Sequence, residues 1–145
     1  MFIRHAGKLA GAAAALSLFV AGAAQAATLH FVATLAGASE TPPTDSAGTG
    51  TVTATLNTTT KTFDYQVAYS GLSGPAMAAH FHGPAAIGAK GPPVVPVKDP
   101  GNPIKGEAVL TDAQIADLEA GKWYFNIHTA AHPGGEVRGQ VVAAN

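Results

Sequence analysis

Residues 51–69 read TVTATLNTTTKTFDYQVAY, which is two alternating segments joined by a short polar connection. In the first segment aliphatic side chains alternate with threonine, and in the second every other side chain from Phe63 to Tyr69 is aromatic or valine. A period of two places successive side chains on opposite faces of a strand, and the NTTTK connection suits a hairpin. This stretch therefore predicts two neighbouring antiparallel strands with one buried face.

The same alternation continues on both sides and predicts an all-β domain. It recurs at 29–35, and further strands are expected at 77–82, 106–110, 123–128 and 136–142. Only one helix is indicated, by a capping box at 111–114, an apolar edge of Ile115 and Leu118, and Gly121 as its end. Six prolines at 84–103 predict a long ordered loop, because proline cannot donate to a central ladder. The pattern implies an antiparallel β-sandwich or barrel with one short helix.

The first 26 residues have the form of a signal peptide. Arg4 and Lys8 make a basic start, residues 9–22 are apolar, and Ala24-Gln25-Ala26 has the small-x-small pattern of a signal peptidase site. Cleavage after Ala26 would leave one domain at 27–145, exported to the periplasm or the external medium. The apolar run is too short to cross a bilayer, so no membrane span is expected after cleavage.

Composition excludes several classes of function. The chain has no cysteine, which excludes disulfides, thiolate nucleophiles, iron–sulfur clusters and Cys-ligated zinc sites. Eight Lys and Arg stand against nine Asp and Glu, so the concentrated positive charge typical of a nucleic-acid-binding protein is missing. With 47% hydrophobic and 12% charged residues, the chain can bury enough apolar surface to fold as one domain.

Three histidines occupy strand positions that predict a shared face. Because side chains alternate, Phe81 points into the core while His80 and His82 point away from it, and His128 lies on the non-core side of its own strand with Asn126. We expect His80, His82 and His128 to offer three neutral nitrogen donors, which suit copper or zinc with a fourth position open. Without a metal, the same histidines would be polar surface.

Polar residues nearby are candidates for supporting this site. Strand alternation predicts that Glu136, Arg138 and Gln140 face outward. Glu136 is expected either to fix an imidazole tautomer or to be the fourth ligand, and His132 is another candidate for that position. Arg138 is expected to pair with Glu136 or a loop carbonyl, or to attract an anion. Asn126 is expected to satisfy backbone groups of a turn or to contact a ligand.

Two motifs in the chain resemble a known family. Residues 79–85, AHFHGPA, and residues 124–140, with YFNIHT and PGGEVRGQ, are similar to the signature segments of the CHRD domain, which is named for chordin and also occurs in exported bacterial proteins. FVATL at 31–35 and ETPP at 40–43 also fit. The resemblance implies an immunoglobulin-like, β-rich extracellular module, with no general enzymatic activity attached to it.

A second resemblance concerns the order of the site residues. His80, His82, His128 and Arg138 follow one another like the copper-binding histidines and the arginine of copper/zinc superoxide dismutases, which are also β-sandwiches. The chain lacks their cysteine pair and their histidine-and-aspartate zinc loop, which disfavours a two-metal dismutase. Three functions stay open: a copper- or zinc-binding module, an extracellular protein-interaction module without metal, and a copper-dependent, dismutase-like enzyme. Of these we expect binding more than catalysis.

Overall fold

A computed structural model describes residue 22 and residues 25–145 of the chain. Eight strands and one α-helix lie in this part. The strands are β1 (Thr28–Ala36), β2 (Thr49–Asn57), β3 (Thr62–Ser70), β4 (Ala78–His82), β5 (Pro93–Pro96), β6 (Ile104–Val109), β7 (Trp123–His128) and β8 (Val137–Ala143). The helix α1 spans Asp112–Glu119, and a 3-10 turn at Gly37–Ser39 follows β1.

The strands form one antiparallel sheet in the order β5-β4-β7-β8-β1-β2-β3-β6. The predicted hairpin is β2 and β3, whose register pairs Leu56 with Phe63. Although β3 and β4 are far apart in this order, Phe81 of β4 meets Phe63 and Tyr65 of β3 edge to face, with ring centroids 5.2 and 5.0 Å apart. The sheet is therefore curled into a nearly closed barrel, and the all-β fold with one short helix is confirmed.

The inward positions of the strands form an apolar core, as the alternation predicts. Its largest fully buried side chains include Leu35, Leu56, Phe63, Phe81, Trp123 and Phe125. Because Trp123 and Phe125 face inward, Tyr124 and Asn126 lie on the outer face of β7. The candidate functional residues are consequently on the outside of the barrel wall.

The helix α1 begins with the predicted capping box. The Thr111 hydroxyl accepts from the Gln114 N–H at 3.2 Å, and the Gln114 side-chain oxygen accepts from the Thr111 N–H at 2.9 Å. Leu118 is fully buried, and Gly121, with φ +69°, follows the last turn. No helix in the described part of the chain has the length and hydropathy of a membrane span.

Two predictions about strands were wrong. The loop predicted at 84–103 contains β5, whose terminal residues Pro93 and Pro96 lie at the edge of the sheet. Proline is tolerated there because an edge strand leaves one row of N–H groups unpaired. Met77 begins the strand predicted at 77–82 and would there share the inward face of Phe81, but it precedes β4 and is 67% exposed. The predicted leader, residues 1–26, lies almost wholly outside the described residues.

Candidate metal centre

Strand register arranges the candidate residues in two rows across β4, β7 and β8. One row contains His80, Asn126 and Arg138, and the next contains His82, Tyr124 and Gln140. His128 ends β7 and pairs with Ala78 of β4. The pleat therefore gathers on one outer face side chains that come from three separate segments of the chain.

The imidazoles of His80, His82 and His128 converge on this face. One nitrogen of each lies within 4.8 Å of the others, and His80 Nδ1 is 3.3 Å from His128 Nε2. A tetrahedral zinc ion with bonds of about 2.0–2.1 Å separates its ligand atoms by about 3.4 Å. The three rings, all partly buried, could thus hold a metal if the widest pair of nitrogens approached by at most about 1.4 Å.

Two backbone carbonyls fix the protonation pattern of the rings. Nδ1 of His82 lies 2.9 Å from the carbonyl oxygen of Gly91, and Nδ1 of His128 lies 2.9 Å from that of Pro133. A carbonyl only accepts, so each Nδ1 carries the proton and donates it, and Nε2 of each neutral ring presents a lone pair. An imidazole that binds a metal through one nitrogen is oriented in this way by an acceptor behind the other.

Burial favours the neutral form of two of these rings. Burial lowers the pKa of His80, and the neighbouring His128 and His82 lower it further. Burial also lowers the pKa of His82; the Gly91 carbonyl and Asn126 act in the opposite direction, while His128 and Arg138 add to the lowering. At neutral pH these two rings can therefore bind a metal without first losing a proton.

Asn126 lies between two of the histidines. Its Oδ1 is 3.1 Å from Nε2 of His82 and 3.1 Å from Nε2 of His128, and the residue is 4% exposed. The side chain therefore faces the imidazoles, and it does not serve the backbone of a turn, which was one of the two roles expected for it.

Glu40 adjoins the site although the sequence did not indicate a role for it. It is nearly buried, and a Cβ placed on Gly135 would overlap both its carboxylate and Nδ2 of Asn126. Burial raises the pKa of Glu40, and the Thr41 N–H, the Asn126 amide and the Arg138 charge only partly offset this. Its carboxylate thus lies on the nitrogen side of the Asn126 amide. The ETPP match at 40–43 was the sole sequence signal near it.

Arg138 lies on the outer face, as the alternation predicts, but it is covered and not on the open surface. It is 2% exposed, and its guanidinium carbon lies 3.5 Å from the centre of the Tyr124 ring. His82 stacks on that ring as well, with centroids 4.6 Å apart and planes 4° apart. One ring face cannot accommodate both groups at these distances, so Tyr124 separates Arg138 from His82. Nη1 of Arg138 donates to the Thr41 hydroxyl at 3.2 Å, so the expected pair with Glu136 does not form.

Glu136 was also predicted to face outward, but it is fully buried beneath connecting segments that contain Ser46 and Ser73. Its carboxylate accepts hydrogen bonds from Ser46, Ser73 and Thr129 instead of contacting an imidazole. His132 closes the turn after β7 through its backbone, which bonds to Thr129 at 3.1 Å, and it lies outside the group of possible ligands found in the described residues. Strand alternation identifies the face on which a side chain lies but not the loops that cover this face. For this reason the burial of Glu136 and of Arg138 could not be predicted.

A comparison with known families agrees with the two sequence motifs at 79–85 and 124–140. The model of the CHRD domain matches residues 31–141, from β1 to β8. The chain belongs to the CHRD family. A search of the curated proteins and a search of the solved structures each give no match. The match to the CHRD model confirms the resemblance to that domain seen in the sequence.

Both signature segments of this CHRD domain meet at the histidines. The first supplies β4 with His80 and His82 and continues into Gly83, where a Cβ would overlap the indole ring of Trp123. The second supplies β7, the following turn and β8. Membership in the family accounts for the fold, whereas any activity has to be argued from the side chains of this site.

Proposed function

We propose that this CHRD-domain protein is an exported module that binds copper or zinc through His80, His82 and His128. The convergence of three imidazole nitrogens within 4.8 Å of one another is the observation that supports it. Neutral imidazoles suit Zn²⁺ and Cu²⁺, whereas calcium and magnesium need a cage of oxygen donors. The proposed role is binding, with no catalytic step.

The proposal of export rests on the sequence of residues 1–26. A basic start, an apolar run and Ala24-Gln25-Ala26 together have the order expected of a cleaved leader. The metal would then be bound in the periplasm or the external medium. A chain without cysteine is indifferent to the oxidising conditions found there.

Thermal unfolding of untagged protein tests the metal site directly. At a zinc concentration of about 100 times the dissociation constant, a ligand held only by the folded state adds about 2.7 kcal/mol of stability, which corresponds to a rise in Tm on the order of 10 °C. We expect this rise with zinc and with Cu²⁺ in the parent protein, and its loss when His80, His82 and His128 are all changed to alanine.

The matched control is the double variant His30→Ala/His132→Ala, which removes two histidines that lie outside the cluster. It should respond to zinc as the parent does. Equal Tm shifts in the parent and in the triple variant would show that the metal binds elsewhere on the chain and would refute the proposed site.

A protein-interaction module without metal is the second candidate. Membership in the CHRD family favours it, because this domain suggests a binding module. The absence of any zinc or copper shift in the parent would leave this candidate in place. The dismutase-like alternative gains less support, since Arg138 is 2% exposed and stacks on the Tyr124 ring instead of facing an open position.

A further inference from the structure

Three atoms that present lone pairs lie close together in the site. Nε2 of His82 and Nε2 of His128 are each 3.1 Å from Oδ1 of Asn126. The proton of each ring is on Nδ1, where the carbonyl oxygens of Gly91 and Pro133 accept it. An amide oxygen has no proton to donate, so neither contact contains a hydrogen atom. Of these atoms only Nε2 of His128 has another neighbour that can donate a hydrogen bond, Nδ1 of His80 at 3.3 Å. The lone pairs that remain repel one another unless a positive charge lies among the three atoms.

The surroundings of Asn126 oppose the simplest relief of this repulsion, which is rotation of its amide. Nδ2 of Asn126 and Oε1 of Glu40 both border the position where a Cβ on Gly135 would stand, and this buried oxygen has no hydrogen-bond partner among the described residues. After rotation, Oδ1 of Asn126 instead of its N–H groups would face the Glu40 carboxylate, and two oxygens would oppose each other. The Glu40 carboxylate therefore opposes a rotation that would turn Oδ1 away from the histidines.

A single cation among these atoms would relieve the repulsion, because Nε2 of His82, Nε2 of His128 and Oδ1 of Asn126 could all direct lone pairs at it. Nδ1 of His80 lies 3.3 Å from Nε2 of His128 and so adjoins the same position.

We infer that Asn126 Oδ1 is the fourth ligand of the metal, and that the site prefers Zn²⁺ or Cu²⁺ to Cu⁺; this rests on the proposed metal-binding function. The contacts of 3.1, 3.1 and 3.3 Å approach the spacing of about 3.4 Å between ligand atoms of a tetrahedral ion. An amide oxygen is a hard donor, and the four donors include no sulfur, which is the ligand that Cu⁺ prefers.

Substitution of Asn126 tests the fourth ligand. Asn126→Ala should weaken zinc binding at least tenfold, measured by competition with a chromophoric chelator, since even groups behind the ligands change affinity by about 10–100-fold. Asn126→Asp keeps an oxygen towards the histidines but directs its second oxygen at the Glu40 carboxylate, so the double variant Asn126→Asp/Glu40→Gln should bind zinc at least as tightly as the parent. Gln66→Ala removes an exposed amide on β3 and should leave the affinity unchanged.

Competition between ions tests the preference for divalent metal. Equimolar Cu²⁺ should displace zinc from the site, because its affinity for nitrogen and oxygen donors exceeds that of zinc. Equimolar Cu⁺, kept reduced by ascorbate, should not displace it. Displacement of zinc by Cu⁺ would overturn the preference.

The outcomes separate the two proposals. If zinc binds the parent but not the triple histidine variant, and Asn126→Ala binds as tightly as the parent, the metal site stands and the fourth ligand is wrong. If zinc does not bind the parent, both are wrong. Should Asn126→Ala fail to fold, a crystal structure of the zinc-loaded parent decides: a Zn–Oδ1 distance of about 2.0–2.2 Å supports the inference, and a water molecule in that position overturns it.

Discussion

Glu136 directly precedes β8 and is fully buried among hydroxyl groups. Ser46 Oγ donates to Oε1 at 2.6 Å, the Ser73 N–H donates to Oε1 at 2.7 Å, the Ser73 hydroxyl donates to Oε2 at 2.7 Å, and Thr129 makes a further short hydrogen bond. Burial acts to raise the pKa of Glu136, but these hydrogen bonds to the charged form outweigh it and lower the pKa to about 2. The carboxylate thereby ties three separate segments together next to His128.

Acid should therefore remove stability within a defined range of pH. The pKa of Glu136 is about 2 in the folded chain, against 4.5 for an ordinary glutamate in the unfolded chain. Since the unfolded state takes up the proton first, the stabilisation is complete above pH 4.5 and is lost as the pH falls through about 2. The difference is worth about 3 kcal/mol, and urea denaturation at a series of pH values between 2 and 6 would measure it.

Glu136→Gln isolates this contribution. The variant should lose about 2–3 kcal/mol at pH 7, because its amide N–H groups face donors, and its stability should depend less on pH between 4.5 and 2. Glu107→Gln, at an exposed position of β6, should stay within about 0.5 kcal/mol of the parent. Parallel pH profiles for Glu136→Gln and the parent would contradict this account.

The connection between β7 and β8 depends on one of its two adjacent glycines. Gly135 has φ +124°, and a Cβ there would overlap Glu40 and Asn126. We expect Gly135→Ala to cost about 2–4 kcal/mol through backbone strain and overpacking. It should also weaken zinc binding, because the displaced Asn126 no longer faces the histidines. Denaturant unfolding and zinc competition measure the two effects.

Gly134→Ala is the matched control for this element. A Cβ at Gly134 has no atom within 4 Å, so its stability should stay within about 0.5 kcal/mol of the parent. Its zinc affinity should be unchanged. If both alanine variants behave alike, the close approach at Gly135 is not what holds the connection in place.

Most elements could be predicted from the sequence, because a period of two and a capping box are local signals. The hairpin at 51–69 and the start of α1 at Thr111 follow from residues close together in the chain. The strand β5 could not be predicted, because its prolines are acceptable only at a sheet edge, and the edge is defined by distant strands.

The candidate site could be predicted only as far as strand pleating determines it. Alternation placed His80, His82 and His128 on one face, and register brings their rings together. The burial of Glu136 and Arg138 and the contact between Glu40 and Asn126 depend on loops from distant parts of the chain. No local pattern describes how such loops fold over a barrel wall.

At the scale of the molecule, the barrel closes around aromatic side chains that lie directly behind the site. Phe81 stands between His80 and His82 in β4 but points inward, where its ring centroid is 4.7 Å from Phe125 and 5.2 Å from Phe63. The position of both histidines therefore depends on how this one ring packs, because their strand cannot shift without moving it.

Removing Phe81 should for this reason weaken both the fold and the metal site. Phe81→Ala and Phe31→Ala each delete a buried ring, and each should cost about 3–5 kcal/mol of unfolding free energy. Phe31 lies on β1, away from the histidines, so saturating zinc should add the same stability to Phe31→Ala as to the parent, about 2.7 kcal/mol at 100 times the dissociation constant. In Phe81→Ala the relaxed β4 should hold His80 and His82 less firmly. The variant should therefore bind zinc more weakly and gain less stability at the same zinc concentration. Calorimetry with and without zinc would measure both increments, and equal gains in the two variants would show that the core does not position the site.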